Sequence, residues 1–253
     1  MIVYPNAKIN IGLHILEKYP NGFHRIESIL YPVDMCDILE IIPSDKFRFG
    51  MSGIPVDGTP DTNLVVRAFR MMEKQYGIPP VSIHLHKMIP PGSGLGGGSS
   101  DAAHTLKALN SLFDKNIPEE VLEDLAMQLG SDCPFFIRNR PVLASGKGNE
   151  FSPVSLDLSG YGIKIVTPEF SINTGWAYSQ VIPSEKETSL ADLIRLPVPQ
   201  WQGKITNDFE KALFPHYPEL ARLKRQLLQE GAVYASLTGS GSAVYGLFRR
   251  KNN

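Results

Sequence analysis

A chain of 253 residues, of which 42% are hydrophobic and 20% charged, is long enough for one large domain or two small ones with a sizeable core. Its formal net charge of −1 provides no basic excess, so neither nucleic acid nor an anionic membrane is expected as a partner. The two cysteines, Cys36 and Cys133, are far apart in the sequence, and this spacing does not predict a disulfide framework. Neither a signal peptide nor an apolar run of about 18 residues is evident. We therefore expect a cytoplasmic protein without a membrane span.

The N-terminal part of the chain predicts antiparallel strands, then a helix and a further strand. Apolar residues share one parity over residues 9–15, and a second β-like region covers residues 26–42 after a turn. Helical spacing predicts a helix over residues 63–76, with a polar cap at its start and Gly77 at its end. Alternation over residues 81–86 predicts a strand with one exposed face.

Helices and strands also alternate in the remainder of the chain. One helix is expected to begin near Ser100, directly after a glycine-rich stretch, and another to begin with Pro118 in its first turn and end at Gly130. Beyond about residue 155 the pattern restarts, with strands predicted over 163–166, 233–237 and 243–248 and helices over 208–214 and 219–230. Mixed elements without a regular βαβ rhythm predict an α+β protein in two lobes, with domains at residues 1–154 and 155–253.

The stretch from Pro90 to Ser100 carries the strongest functional signal in the chain. Five of its eleven residues are glycine, which lets several backbone N–H groups converge on a closely approaching anion. Because the stretch leads into a helix, whose N-terminus attracts phosphate, we predict a phosphate-binding loop, in which the last two hydroxyls also suit phosphate or Mg²⁺. The predicted phosphate-binding residues are Pro90, Pro91, Gly92, Ser93, Gly94, Leu95, Gly96, Gly97, Gly98, Ser99 and Ser100.

Other kinds of glycine-rich segment fit this stretch less well. A P-loop requires a lysine after its glycines, and none follows here. Gly92, Gly94 and Gly97 match the GxGxxG fingerprint of dinucleotide sites, with Asp114 at a suitable distance. However, a connection of about a dozen residues is too long for the tight turn of a Rossmann unit. A flexible linker is the remaining alternative, although a predicted strand and a predicted helix bracket the stretch closely.

Four segments together resemble one superfamily of kinases. They are Ala7–Asn10 with Gly22–His24, Pro90–Ala103, Gly130–Phe136 and Thr238–Ser242, and they occur in the family order over nearly the whole chain. The chain resembles the small-molecule kinases named for galactokinase, homoserine kinase, mevalonate kinase and phosphomevalonate kinase. The first and third segments resemble more specifically the members whose acceptor is a cytidine diphosphate-linked methylerythritol, in the non-mevalonate route to isoprenoids and terpenoids.

This resemblance implies a fold and a reaction. It implies an N-terminal ATP-binding domain with a ribosomal-protein-S5-like fold and a smaller, ferredoxin-like C-terminal domain. The implied reaction is transfer of the γ-phosphoryl group of ATP to the 2-hydroxyl of the acceptor, with Mg²⁺ accompanying the ATP.

Two residues, Lys8 and Asp132, are expected to act on the chemical step. From position alone, Asp132 fits an Asx turn or a cap as well as a base that accepts the proton of an attacking hydroxyl. Lys8 lies between apolar strand residues, where it fits a solvated lysine or a cation that holds an anion or keeps Asp132 ionised. The resemblance places the family's catalytic aspartate and lysine on these two positions.

The acceptor site is expected to include Asn10, Phe23, His24, Thr174 and Tyr178. The resemblance places a substrate-contacting asparagine on Asn10 and an aromatic–histidine pair on Phe23 and His24. The family usually has tyrosine at the first of these, so Phe23 loses a hydroxyl but keeps a stacking face. Thr174 and a second aromatic residue, Tyr178, are also expected in the acceptor site, although the segment that contains them has no glycine-rich motif to align it with the family.

Two further functions stay open. The first is a sibling kinase that acts on homoserine or mevalonate. The Phe23–His24 pair argues against it, because only an acceptor that contains a base needs an aromatic residue and a histidine side by side. The second is a nucleotide-binding module without catalysis.

His84 and His86 have a spacing that metal sites use, but two ligands make an incomplete site, so we interpret them as a solvated strand face and predict no metal site. Cys133 lacks a positioned histidine and is interpreted as a packing residue.

Overall fold

The described part of the chain, residues 1–250 of this computed structural model, contains strands and helices without a regular βαβ rhythm. The strands are β1 (Ile2–Val3), β2 (Asn6–Lys18), β3 (His24–Cys36), β4 (Ile38–Pro43), β5 (Arg48–Gly53), β6 (Val81–Lys87), β7 (Val142–Ser145), β8 (Glu150–Pro153), β9 (Tyr161–Val166), β10 (Tyr234–Leu237) and β11 (Val244–Arg249). The helices are α1 (Leu64–Tyr76), α2 (Gly97–Leu112), α3 (Glu119–Leu129), α4 (Phe135–Arg138), α5 (Thr174–Gln180), α6 (Leu190–Leu193), α7 (Asp208–Leu213) and α8 (Pro218–Gln229), with short 3₁₀ turns at Pro60–Thr62 and Val198–Gln200.

Contacts within the chain define two units, neither of which is one continuous segment. The first unit comprises Met1–Ala7, Pro32–Pro91 and Gly96–Arg140. The second comprises Lys8–Tyr31, Gly92–Leu95 and the chain from Pro141 onward. The strands β2 and β3 each contribute residues to both units, and the domain boundary at residues 154 and 155 stays a prediction.

The first unit combines a four-stranded sheet with the helices α1 to α4. The sheet has the order β1-β4-β6-β5, with β5 parallel to β6 and the other pairs antiparallel. Helix α1 packs against α2 and buries Val65, Phe69 and Met72 among its apolar residues. The Asn63 side chain accepts from the Val65 N–H at 2.9 Å, and Gly77, with φ of +60°, ends the helix in the left-handed conformation. These caps confirm the helix predicted over residues 63–76.

The second unit contains two sheets. One has the order β2-β3-β7-β8, and the other has the order β10-β11-β9 with antiparallel pairing throughout. Helix α8 packs on β10 and β11, so that its buried Leu220 and Leu227 join a core with Phe209 and Leu237. Burial of such side chains stabilises the unit by about 1.5–3 kcal/mol each.

The structure confirms the α+β class and most predicted elements, and it differs from the predictions at several others, two of them on the strands of the first unit. Residues 26–42 form two strands, because the chain breaks pairing at the buried Asp37 between β3 and β4. Strand β5 has no sequence prediction, since its residues do not alternate clearly. Among residues 1–250, no helix is both long and apolar enough to cross a membrane.

Candidate active site

The glycine-rich stretch connects β6 to α2, and several of its glycines occupy positions that other residues would strain. Gly94 and Gly96 have φ of +79° and +74°, in the left-handed region that favours glycine. A Cβ on Gly94 would lie 2.2 Å from the carbonyl oxygen of Thr238. A Cβ on Gly97 would lie 2.8 Å from Ile89 Cγ2. The stretch therefore needs glycine for its backbone angles and for its close approaches.

Helix α2 begins inside this stretch, at Gly97, rather than near Ser100 as predicted. The prediction was wrong because Ser100 is a better cap by residue type, whereas the observed cap is Gly96 in the left-handed conformation. The Ser100 N–H already bonds to the Gly96 carbonyl oxygen at 2.9 Å. The first N–H groups of a helix have no intrahelical carbonyl, so the start of α2 presents glycine backbone donors and a positive dipole end to an anion.

Lys8 and Asn10 lie side by side on β2, on the parity opposite to its isoleucines, and each is only 4% exposed. The Lys8 ammonium donates to Asn10 Oδ1 at 2.6 Å and to the carbonyl oxygen of Gly94 at 2.9 Å. Burying an ammonium is unfavourable unless it is hydrogen-bonded, and these contacts supply such bonds. The structure thus brings Lys8 and Asn10 together against the middle of the glycine-rich stretch.

Two polar residues that the sequence analysis missed complete this network. The Asn10 side-chain amide donates to Ser28 Oγ at 2.8 Å, and the Asn10 backbone N–H donates to Thr238 Oγ1 at 3.0 Å. Thr238 belongs to a segment that carries the family resemblance, which was its only signal. Ser28 has no local signal, because its role depends on the pairing of two strands.

Asp132 is half-buried in the turn between α3 and α4. Its neighbour Cys133 is fully buried, and burial raises the pKa of that thiol to about 11, with a further rise from the charge of Asp132. The Ser99 side chain hydrogen-bonds to the same thiol. Cys133 therefore stays a thiol, which is consistent with packing, and it lies beside Ser99 in the first turn of α2.

The predicted acceptor residues all belong to the second unit, and two of them, His24 and Tyr178, are in contact. The His24 ring stacks on Tyr178 with centroids 4.9 Å apart and 24° between the planes. Phe23 is 59% exposed, and the Lys147 ammonium lies 4.9 Å from the centre of its ring. Thr174 Oγ1 lies 3.2 Å from Ser240 Oγ, in the loop that carries Thr238. Burial, and then the charge of Lys18, lower the pKa of His24, so its ring is neutral at neutral pH.

A cavity of about 390 Å³ in the first unit adjoins the start of α2. Apolar side chains from β5 and β6, among them Met51 and Leu85, form part of its wall. Asn63 and Leu64 contribute the start of α1, and Gly98 contributes the first turn of α2. No sequence pattern predicts this cavity, because it depends on β5, which has no sequence prediction. Its size and apolar wall suit a small planar ligand.

His84 and His86 share a hydrogen-bonding partner on the neighbouring strand. Ser52 Oγ lies 2.8 Å from His84 Nε2 and 2.9 Å from His86 Nδ1. Within residues 1–250, no three histidine, cysteine, aspartate or glutamate side chains are grouped so as to hold a metal ion.

Two family models match the chain. They describe the N-terminal domain of the GHMP kinases, over residues 63–140, and the C-terminal domain of the same kinases, over residues 190–253. The 4-diphosphocytidyl-2-C-methyl-D-erythritol kinase of Azobacteroides pseudotrichonymphae is 49% identical over 251 residues, which cover 99% of this chain and 94% of that protein. The kinase of the same name from Parabacteroides distasonis is also 49% identical, over 99% of this chain and 92% of that protein.

Solved structures agree with these sequence matches. A crystal structure of a 4-(cytidine 5′-diphospho)-2C-methyl-D-erythritol kinase matches with a TM-score of 0.83 and 28% identity, covering 98% of this chain and 90% of that one. The homoserine kinase of Cytophaga hutchinsonii, at 19% identity and a TM-score of 0.71 over 96% of this chain and 85% of that one, shares the fold alone. The chain therefore belongs to the GHMP kinases, the superfamily that its glycine-rich stretch and three companion segments resemble, and within them to the 4-diphosphocytidyl-2-C-methyl-D-erythritol kinases.

Proposed function

We propose that this ATP-dependent kinase transfers the γ-phosphoryl group of ATP to the 2-hydroxyl of 4-diphosphocytidyl-2-C-methyl-D-erythritol, in the formation of isoprenoid precursors. The observation that carries the proposal is the start of α2 within the glycine-rich stretch, in a chain 49% identical over nearly its whole length to kinases of that name. The cytoplasm is the proposed location, because ATP is available there.

The phosphates of ATP are proposed to bind the glycine-rich stretch from Pro90 to Ser100. Support comes from the left-handed Gly94 and Gly96, which let backbone N–H groups turn toward one anion, and from the dipole of α2. The adenine is proposed to occupy the cavity beside Gly98, whose apolar wall suits a planar base.

Mg²⁺ is proposed to accompany the ATP and to neutralise charge that develops on the phosphates. The Ser99 hydroxyl, in the first turn of α2, would contribute an oxygen ligand of the kind that Mg²⁺ prefers, beside the phosphates of ATP.

Phosphoryl transfer to an alcohol needs a proton acceptor and stabilisation of negative charge. In the proposed reaction the 2-hydroxyl oxygen forms a bond to the γ-phosphorus while the bond from that phosphorus to the β–γ bridging oxygen breaks, releasing ADP. Asp132 takes the hydroxyl proton, as the resemblance implies and as its half-buried carboxylate allows. Lys8, held by Asn10 and Gly94, supplies a fixed positive charge.

The cytosine of the acceptor is proposed to bind at Phe23, His24 and Tyr178. A neutral histidine ring has one N–H donor and one acceptor nitrogen on different sides of the ring, so one of them can hydrogen-bond the polar edge of cytosine. The exposed face of Phe23 provides a stacking surface, and the contact between His24 and Tyr178 fixes the histidine ring. Asn10 and Thr174 are proposed to contact the remainder of the acceptor.

One assay of ATP consumption with three acceptors tests this function. We expect turnover with 4-diphosphocytidyl-2-C-methyl-D-erythritol and little with mevalonate or homoserine. A preference for mevalonate or homoserine would support a sibling kinase, and binding of ATP without turnover of any acceptor would support a module without catalysis.

A further inference from the structure

A buried cluster of three charged side chains joins the two ends of the glycine-rich stretch. Lys87 is the last residue of β6, Asp37 lies between β3 and β4, and Asp101 lies in the first two turns of α2. Their exposed fractions are 4%, 0% and 2%. The Lys87 ammonium donates to Asp101 Oδ2 at 2.7 Å and also to Asp37 Oδ2. We name this cluster of Asp37, Lys87 and Asp101 the loop clasp.

Asp37 also holds the backbone immediately before the stretch. Its Oδ1 accepts from the N–H of Met88 at 2.5 Å and from the N–H of Ile89 at 2.8 Å. Asp37 therefore fixes the entry to the stretch, whereas Asp101 belongs to the helix at its exit. Because Lys87 bonds to both carboxylates, its position sets the separation of the two ends.

The clasp lies directly beneath the first residue of α2. A Cβ added to Gly97 would come within 3.2 Å of Lys87 Nζ and 2.8 Å of Ile89 Cγ2. Real Cβ contacts are rarely this short, so position 97 requires glycine when Lys87 and Ile89 lie where they do. A shift of Lys87 would consequently shift the N–H groups at the start of the helix.

The two carboxylates of the clasp are not equivalent. Asp37 accepts three donors, whereas Asp101 Oδ1 is buried without a hydrogen-bonding partner in the part of the chain that the structure describes. Burial raises the pKa of Asp101 to about 7, against the attraction of Lys87 and with added repulsion from Asp37. An amide at position 37 would therefore leave one of the three donors without its acceptor.

We propose that Asp37, Lys87 and Asp101 are positioning residues for ATP binding, because the clasp holds the ends of the glycine-rich stretch at the separation that phosphate binding requires. This proposal rests on the proposed role of the stretch in binding ATP. Buried ion pairs contribute little net stability compared with apolar side chains of similar volume. The consequence of the clasp is therefore expected in nucleotide binding more than in stability.

The first test replaces one linked pair by apolar side chains. The double variant Lys87→Met/Asp101→Leu removes the link between β6 and α2 while Asp37 keeps its bonds to Met88 and Ile89. We expect a folded protein whose KM for ATP rises about 10- to 100-fold, because misplacement of binding groups by about 1 Å has effects of that size. The KM for the acceptor should stay within about threefold. Lys164→Met is the control, since it breaks an exposed ion pair with Glu230 and should change neither KM.

The second test places an amide at position 37 and remains decisive if the double variant does not fold. Asp37→Asn should raise the KM for ATP about tenfold or more, by loss of a hydrogen bond to a charged group, and should leave the KM for the acceptor within about threefold. A wild-type KM for ATP in the folded double variant, or in Asp37→Asn, would overturn the clasp. If Gly97→Val binds ATP as tightly as the wild type, the proposed role of the stretch itself fails.

Discussion

Lys8 shows how a single residue acquires a role that its sequence context leaves open. Between apolar strand residues it fits a solvated lysine as well as a buried cation, and its exposure of 4% excludes the first. Its hydrogen bonds to Asn10 and Gly94 hold the ammonium in one place. A cation fixed before substrate binds needs little reorganisation when negative charge develops, which is the arrangement that phosphoryl transfer favours.

Asp132→Asn tests the proton acceptor. The amide keeps the size of the side chain and removes its basicity, so we expect kcat to fall by about 10²- to 10⁴-fold. Residual activity is expected, because positioning and electrostatics supply much of the rate of phosphoryl transfer. Steady-state kinetics should show much smaller changes in both KM values. A kcat within a few-fold of the wild type would make Asp132 a structural turn residue.

His24→Ala and Phe23→Ala separate base recognition from base stacking. Hydrogen bonds give selectivity and stacking does not, so His24→Ala should weaken the preference for cytidine over uridine acceptors. Phe23→Ala should weaken both acceptors alike, by about 1–3 kcal/mol for a lost stacked base. The measurement is kcat/KM for both acceptors with each variant, and KM for ATP is the control. An unchanged cytidine preference in His24→Ala would remove His24 from the recognition site.

Asp101 gives a pH dependence of stability with a definite sign. Burial raises its pKa from 3.8 to about 7, so the folded state keeps a proton over a pH range in which the unfolded state has lost it. The resulting stabilisation is fully present below about pH 3.8 and is lost as the pH rises to about 7. Asp101→Asn has no such proton. We therefore expect the Tm of the wild type to fall relative to that of Asp101→Asn between these pH values, and the difference to be constant above them. A difference that does not change across this range would contradict the raised pKa.

At the scale of elements, the glycine-rich stretch should tolerate no β-branched side chain. Gly96 requires a left-handed backbone, and a side chain on Gly97 would meet Ile89. Strain of this kind amounts to about 1–3 kcal/mol per residue, so Gly96→Val and Gly97→Val should raise KM for ATP about 10- to 100-fold. Circular dichroism should show an intact fold, and KM for the acceptor serves as the control. Wild-type ATP binding by either variant would mean that the stretch is not the phosphate site.

Elements with strong local signals could be predicted from the sequence, and those determined by distant contacts could not. Helix α1 carries its own cap and stop, Asn63 and Gly77, and the structure confirms both. Helix α2 starts earlier than predicted, because its cap is the left-handed Gly96 and not a residue with a capping side chain. Pairing with β6 defines β5, so no pattern in its own residues predicts it.

At the scale of the whole molecule, the same distinction applies to the candidate site. The glycine-rich stretch is a local pattern, and the resemblance added Lys8 and Asp132 to it. Ser28 and the members of the loop clasp lie between 14 and 52 residues from their partners, so only the folded chain identifies them. The family and the two-domain GHMP kinase fold follow from the four segments together, and the comparisons confirm them.

Ligand-induced stabilisation of the whole protein tests nucleotide choice without catalysis. A non-hydrolysable ATP analogue at about 100 times its Kd should stabilise the folded state by about 2.7 kcal/mol. For a chain of this size each kcal/mol raises the Tm by about 2–4 °C, so we expect a rise of about 5–11 °C. NAD at the same concentration should have little effect, because the connection from β6 to α2 lacks the tight turn of a dinucleotide site. In the Gly97→Val variant the ATP analogue should no longer raise the Tm, whereas any rise in Tm that the acceptor causes should remain. Equal stabilisation by NAD and the ATP analogue would contradict a site built for ATP.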